Sequence, residues 1–278
     1  RPLHLLLAAL TYTLGASIPA YLGQPLQSLI FWLGLAGILL AQLSMSLLVE
    51  VFRPHNEPYF ENETPKQKET LRDNMLYISI AALTVTAFII YLLYLNQALV
   101  LSSFILYLSS FILIFSYSIP PIRLVNRGFG ELTLSAHIAY IIPSIGFLLQ
   151  AKENHRLLMV ILIPLTALAY FLLINFTSFP SDQKYQRATL LQSLTWERAV
   201  PLHHGLILFA YIIFAIAPVL GFSILWPAFL TLPFAIFQIL LLRHISNGGK
   251  PNWTLLTATA LAVFGLTTYF LTLTFWLR

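Results

Sequence analysis

Three carboxylates stand where apolar stretches give way to polar ones. Glu50 and Glu57 lie in Leu47-Leu48-Val49-Glu50-Val51-Phe52-Arg53-Pro54-His55-Asn56-Glu57, and Asp182 lies in Asn175-Phe176-Thr177-Ser178-Phe179-Pro180-Ser181-Asp182-Gln183-Lys184-Tyr185-Gln186-Arg187. Carboxylates on facing helices can share Mg²⁺, whose other positions go to water and substrate phosphates, and a metal held this way neutralises a departing phosphate. The same acids have nearer partners. Glu50 and Arg53 are i, i+3, and Lys184 and Arg187 follow Asp182, so ion pairing at a helix end is an equally open role. A third polar stretch reads Tyr117-Ser118-Ile119-Pro120-Pro121-Ile122-Arg123-Leu124-Val125-Asn126-Arg127-Gly128-Phe129-Gly130-Glu131. Its two arginines fit phosphate oxygens in bidentate fashion, with Glu131 placed to compensate one of them. Its prolines end one helix and its glycines permit a tight turn into the next. The alternative role for Arg123 and Arg127 is as positive anchors at a membrane surface.

The elements that must position these groups are set by composition. Of 278 residues, 58% are hydrophobic and 9% charged, against about 25% charged in a typical soluble domain. That excludes an ordinary water-soluble domain. Apolar runs of about 20 residues favour helices over barrel strands, which alternate over about 10. The runs predict spans near 3–22, 28–51, 75–95, 98–118, 131–149, 157–177, 202–221, 225–243 and 254–277. The expectation is an all-α polytopic bundle of about nine transmembrane helices, a single transmembrane domain over 1–278. There are no cysteines, so disulfides and thiolate metal sites are excluded. The first apolar segment has neither a basic run nor a small-residue cleavage pattern, so no signal peptide is expected.

With the N-terminus inside, Arg1, Arg53, Lys66, Lys68, Arg72, Arg123, Arg127, Lys184, Arg187, Arg198, Arg243 and Lys250 face inward. Only Lys152, Arg156 and Arg278 face outward, which together accounts for all 15 Lys and Arg. So uneven a split is the positive-inside signature, and it puts the N-terminus and the polar loops in the cytoplasm and the C-terminus outside. The net charge of +5 is spread thinly between apolar spans, so no nucleic-acid partner is expected. The longest loop, Arg53 to Asn74, mixes both signs; it reads as a solvated connector with a short helix around Lys66 to Arg72.

The segment from Tyr117 to Glu131 resembles the loop of the UbiA superfamily of intramembrane prenyltransferases that reads roughly Y-S-x-P-P-x-R-L-x-x-R-G-x-G-E. The opening Arg1-Pro2-Leu3-His4-Leu5 with Leu14-Gly15 is similar to that family's first helix. Asp182 to Leu190, followed by Trp196-Glu197-Arg198-Ala199, is similar to its second motif and the helix after it. The resemblance runs over essentially the whole chain. It implies a UbiA-prenyltransferase-like bundle that moves a prenyl group from a prenyl diphosphate to a quinone-type or other lipophilic acceptor, with Asp-rich motifs holding Mg²⁺. On this sequence the implied catalytic residues are Glu50 and Asp182, and the implied metal ligands Glu50, Glu57 and Asp182. Arg53, Arg123, Arg127, Lys184, Arg187, Tyr117 and Asn175 are the implied diphosphate binders.

The departures are specific. The family's N-D-x-x-D-x-x-x-D motif falls on Val49, Glu50, Arg53 and Glu57, and its D-x-x-x-D on Ser178 and Asp182. Three carboxylates stand where five are expected, and Arg53 puts a cation where a metal-binding anion belongs. That weakens Mg²⁺ binding or replaces part of it by direct guanidinium contact with phosphate. An alternative of another class is therefore open: a non-catalytic protein that binds isoprenoid, quinone or pigment, or supports a membrane complex. A transporter lacks support, because only His137 is an ionisable candidate at mid-membrane. His137 reads as a hydrogen-bonding group between helices. His203 and His204, expected near the cytoplasmic mouth, read as interfacial anchors or as a proton acceptor. The aromatic residues read as lipid-facing or packed, with an isoprenoid tunnel as the second role.

Overall fold

The computed structural model describes residues 1–54, 56–60, 62–151, 164–219, 221 and 223–277, and the side chains of all of these but 164 and 165. Lys152, Arg156, Arg278 and the opening of the sixth predicted span lie outside the described residues. The elements in order are α1 (Pro2–Tyr21), α2 (Ser28–Val51), α3 (Pro65–Leu95), α4 (Leu101–Ser118), α5 (Gly130–Ala151), α6 (Pro164–Lys184), α7 (Leu190–Val219), α8 (Ser223–Ser246) and α9 (Trp253–Leu277). All but α6 are, among the described residues, long and apolar enough to cross a membrane. The chain is an all-α polytopic membrane bundle of about nine helices. Among the described residues the strand-like pairing is limited to one isolated bridge, Arg127 with Ala188.

Local chemistry explains where these helices begin and bend. Pro2 and Pro65 occupy first-turn positions, where the missing N–H costs nothing. Thr64 caps α3 in a reciprocal box with Gln67. No glycine or proline interrupts the chain from Lys66 to Leu95. The short helix and the span expected separately are therefore one continuous 31-residue helix, whose first turns carry the charged residues beyond the membrane. In α5 the turn His137–Ile141 widens to a π-helix. Pro143 follows and would clash with the carbonyl of Ala139, four residues back, and the wider turn falls at that place. The helix α7 breaks at Thr195, whose φ is 62°, so the segment after the second polar stretch turns before it enters the bundle.

Helices α1 and α5 lie at the centre. Gly15 of α1 packs directly on the backbone of Pro143, and Gly146 of α5 on the backbone of Tyr12; a side chain at Gly15 has no room. Such close backbone approach is how membrane helices associate where no hydrophobic drive separates protein from lipid. Outer helices turn apolar side chains outward: Tyr77, Phe88 and Tyr91 on α3, Phe104 and Ile112 on α4, Phe209 and Ile216 on α7. Buried polar groups inside the bundle bond across helices. His137 sits between Ser110 Oγ at 2.7 Å and Gln42 Oε1 at 3.0 Å, which is the interhelical role expected for it.

Candidate functional site

At one end of the bundle the start of α1, the ends of α2, α4 and α6 and the start of α5 surround a cavity of about 440 Å³. Glu50, Arg53, Glu57, Tyr117, Arg123, Asn175, Asp182 and Arg187 all line it. Two expected members do not. Arg127 bends back to donate to the Pro121 carbonyl at 2.6 Å, and Lys184 is exposed with its Nζ 5.2 Å from the centre of the Tyr185 ring. The inner wall is apolar, built by Leu3, Leu134, Tyr170, Phe171 and Ile174. The cavity thus has a charged mouth and a greasy interior.

The charges at the mouth form one alternating ladder. Arg1 Nη2 lies 3.6 Å from Glu50 Oε1. Arg53 Nε donates to Glu50 Oε2 at 2.8 Å, and its Nη1 lies 3.3 Å from Glu57 Oε1. Arg187 donates through Nε to Glu57 Oε2 at 3.1 Å and through Nη1 to Asp182 Oδ1 at 3.0 Å. Ser178 Oγ completes the end, donating to Asp182 Oδ2 at 2.7 Å. The pairing foreseen for Glu50 with Arg53 is present, and Asp182 pairs with Arg187 rather than Lys184. Glu131 compensates neither loop arginine; its Oε1 accepts from the Leu190 N–H at 3.0 Å and from Asn175 Nδ2.

This arrangement bears on magnesium. Glu50, Glu57 and Asp182 are each bound to a guanidinium, and Arg53 lies between the first two. Among the described residues no three acidic or histidine side chains converge. The donor set as arranged does not fit an oxygen cage for Mg²⁺, which needs carboxylates free to face the ion.

Arg123 is different from the other arginines at the mouth. Its backbone is left-handed, φ 41° and ψ 62°, a conformation that costs a non-glycine residue about 1–3 kcal/mol and is held by its surroundings. Those surroundings are the Pro120–Pro121 turn before it, the short 3-10 turn Leu124–Asn126 after it, and Gly128, whose φ of 77° lets the loop dock its N–H on the Ala188 carbonyl. The Nε of Arg123 is buried and has no hydrogen-bond partner. Burial pulls its pKa below the ordinary arginine value; Glu50 opposes that shift and Arg53 reinforces it. Arg123 is thus a half-buried cation at the cavity whose Nε has no protein partner, a chemistry that suits an anion.

Arg1 and His4 are lining residues that the spacing of acids and arginines does not point to. Their signals in the sequence are the opening Arg1-Pro2-Leu3-His4-Leu5, noted above for its resemblance, and the i, i+3 placement on one face at the start of an otherwise apolar helix. His203 and His204 are not part of the wall: His203 Nε2 lies 2.9 Å from Gln238 Nε2 on α8, so the proton-acceptor role considered for this pair has no geometry here. Of the aromatic residues, Tyr117, Tyr170 and Phe171 reach the cavity, while many others face lipid. No protein-family model and no curated protein matches the chain.

Proposed function

We propose that the chain is a UbiA-like intramembrane prenyltransferase that takes a prenyl diphosphate at the charged mouth and transfers the prenyl group to a lipophilic, quinone-type or related acceptor lying in the apolar part of the cavity. The observation that carries this reading is the two-part wall, with Arg1, Arg53, Arg123 and Arg187 at one end and Leu3, Phe171 and Ile174 below. An amphiphile with an anionic head and an isoprenoid chain matches both parts. Arg123 meets the phosphate first, since it has no carboxylate to leave. Arg53 and Arg187 keep their carboxylates and add their positive charge, which stabilises the diphosphate as the C1–O bond breaks. No step is assigned to Mg²⁺, because the carboxylates that would hold it are engaged. The crowding of basic residues at this end fits a cytoplasmic mouth by the positive-inside rule.

A second reading draws support from the ladder itself. Three acids neutralised by three arginines form a self-satisfied set, which suits a protein that holds an isoprenoid, quinone or pigment, or supports a membrane complex, without turning it over. Pyrophosphate release from labelled geranylgeranyl diphosphate, by protein in lipid nanodiscs with a panel of quinone-type acceptors, separates the two. Acceptor-dependent release that is lost in Arg123→Ala supports the transferase. Saturable binding without release supports the binding protein, and no binding at all refutes both.

A further inference from the structure

We infer that Tyr59 is a positioning residue of the charged mouth: its ring holds the Arg53 guanidinium in the orientation that meets the diphosphate, an inference that rests on the reading of the mouth as a diphosphate site. Arg53 lines the cavity and Tyr59 does not. Both Nε and Nη2 of Arg53 donate to a single oxygen, Glu50 Oε2. Bonds to one oxygen fix a distance but let the guanidinium swing about it, unlike a fork onto two oxygens. Glu57 Oε1, 3.3 Å from Nη1, adds attraction. The contacts that set the plane come from the loop after α2. Nη1 donates to the Pro58 carbonyl at 2.9 Å, and Cζ stands over the Tyr59 ring, 4.8 Å from its centre. That separation is within cation–π range, so the guanidinium is held at its edge by a carbonyl and across its face by a ring.

Tyr59 is itself anchored. Its OH donates to the carbonyl of Glu50, in the last turn of α2, at 2.7 Å, and its N–H donates to Glu63 Oε2 at 2.8 Å. Lys68, on the extension of α3, brings its Nζ within 5.9 Å of the same ring centre and donates to the Glu57 carbonyl at 2.7 Å. The half-buried ring thus meets two cations and ties the end of α2 to the start of α3 around Arg53. A guanidinium fixed before the ligand arrives gives up no rotamer freedom when it binds, so its charge acts undiminished on the phosphate. The cation that stands in place of an expected acid therefore has a device that holds it.

The test measures geranylgeranyl diphosphate binding to the full chain in nanodiscs, with Tyr59 varied in the wild type and in Arg53→Ala. In the wild-type background Tyr59→Leu is expected to weaken binding about fivefold, and Tyr59→Phe, which keeps the ring, about twofold or less. In the Arg53→Ala background Tyr59→Leu should cause no further loss, because the group it positions is gone, whereas a loop-packing role would lower binding in both backgrounds. Tyr59→Met is a second ring-less variant and should match Tyr59→Leu. Wild-type binding in the ring-less variants, a further loss in the Arg53→Ala background, or failure of both ring-less variants to fold overturns the inference and leaves the diphosphate reading of the mouth in place. A wild-type protein that does not bind geranylgeranyl diphosphate overturns that reading, and the inference with it.

Discussion

Arg187 reaches across 130 positions of sequence to Glu57, its Nε donating to Oε2 at 3.1 Å. Glu57 belongs to the loop after α2 and Arg187 to the turn after α6, so one pair ties together the two polar stretches that carry the acids. Glu57 is almost fully buried, its side chain 3% exposed. Removing one partner of a buried pair strands the other, at about 3–5 kcal/mol. Arg187→Met is expected at or below the low end of that range, because water reaches the arginine and Glu57 keeps Arg53 Nη1 at 3.3 Å. In thermal unfolding in detergent, the Glu57→Gln, Arg187→Met double variant should be less destabilised than the sum of the two single ones. Additive losses would mean that the pair carries no coupling.

Arg123 and Arg127 are separated by one short turn, yet only Arg123 faces the cavity. A charge-assisted hydrogen bond is worth about 1.5–3 kcal/mol, so Arg123→Ala should weaken geranylgeranyl diphosphate binding by about ten- to a hundredfold. Arg127→Ala and Lys184→Ala should leave it near the wild-type value. Equal losses in all three would show that general positive charge at the mouth, rather than the held guanidinium, does the binding.

Arg53 stands between Glu50 and Glu57, which makes the metal question experimental. Headgroup binding by the wild-type protein is expected to survive chelation of divalent cations. Arg53→Asp removes the central cation and sets a third carboxylate beside the other two, so binding in that variant should come to require Mg²⁺. Loss of wild-type binding in chelator would overturn the arginine-based account of the mouth.

How much of this was legible depends on which residues are considered. The spans follow from apolar runs, which report lipid exposure directly, and the end of α2 at Val51 falls where Glu50 and Arg53 announce it. The helix α3 is longer than its charge pattern suggests, because a capped helix with no glycine or proline after its first turn runs on past the membrane surface. Arg187 rather than Lys184 meets Asp182 because α6 ends at Lys184 and Gln186, with φ 53°, turns the chain back over the mouth. No local spacing encodes that reversal. His4 stands out in the sequence only as one residue of the opening Arg1-Pro2-Leu3-His4-Leu5; its place in the cavity wall follows only when Phe171 is brought beside it.

Inside the bundle, about 4.5 Å along α5 from the cavity-lining Leu134, His137 links Ser110 of α4 to Gln42 of α2 from the widened turn of α5. Interhelical hydrogen bonds inside membrane proteins are worth about 0.6 kcal/mol each on average, because an unfolded chain in lipid also finds partners. Two such bonds predict a loss of about 1 kcal/mol for His137→Leu, plus any cost of leaving Gln42 and Ser110 buried without a partner. Gln42 Nε2 already has none, so the network is not a tight one and the loss should stay modest. Geranylgeranyl diphosphate binding should be unaffected, since His137 does not line the cavity. A variant that keeps its thermal stability but loses binding would mean that the widened turn of α5 shapes the mouth from a distance, through Glu131 and Leu134 at the start of the same helix.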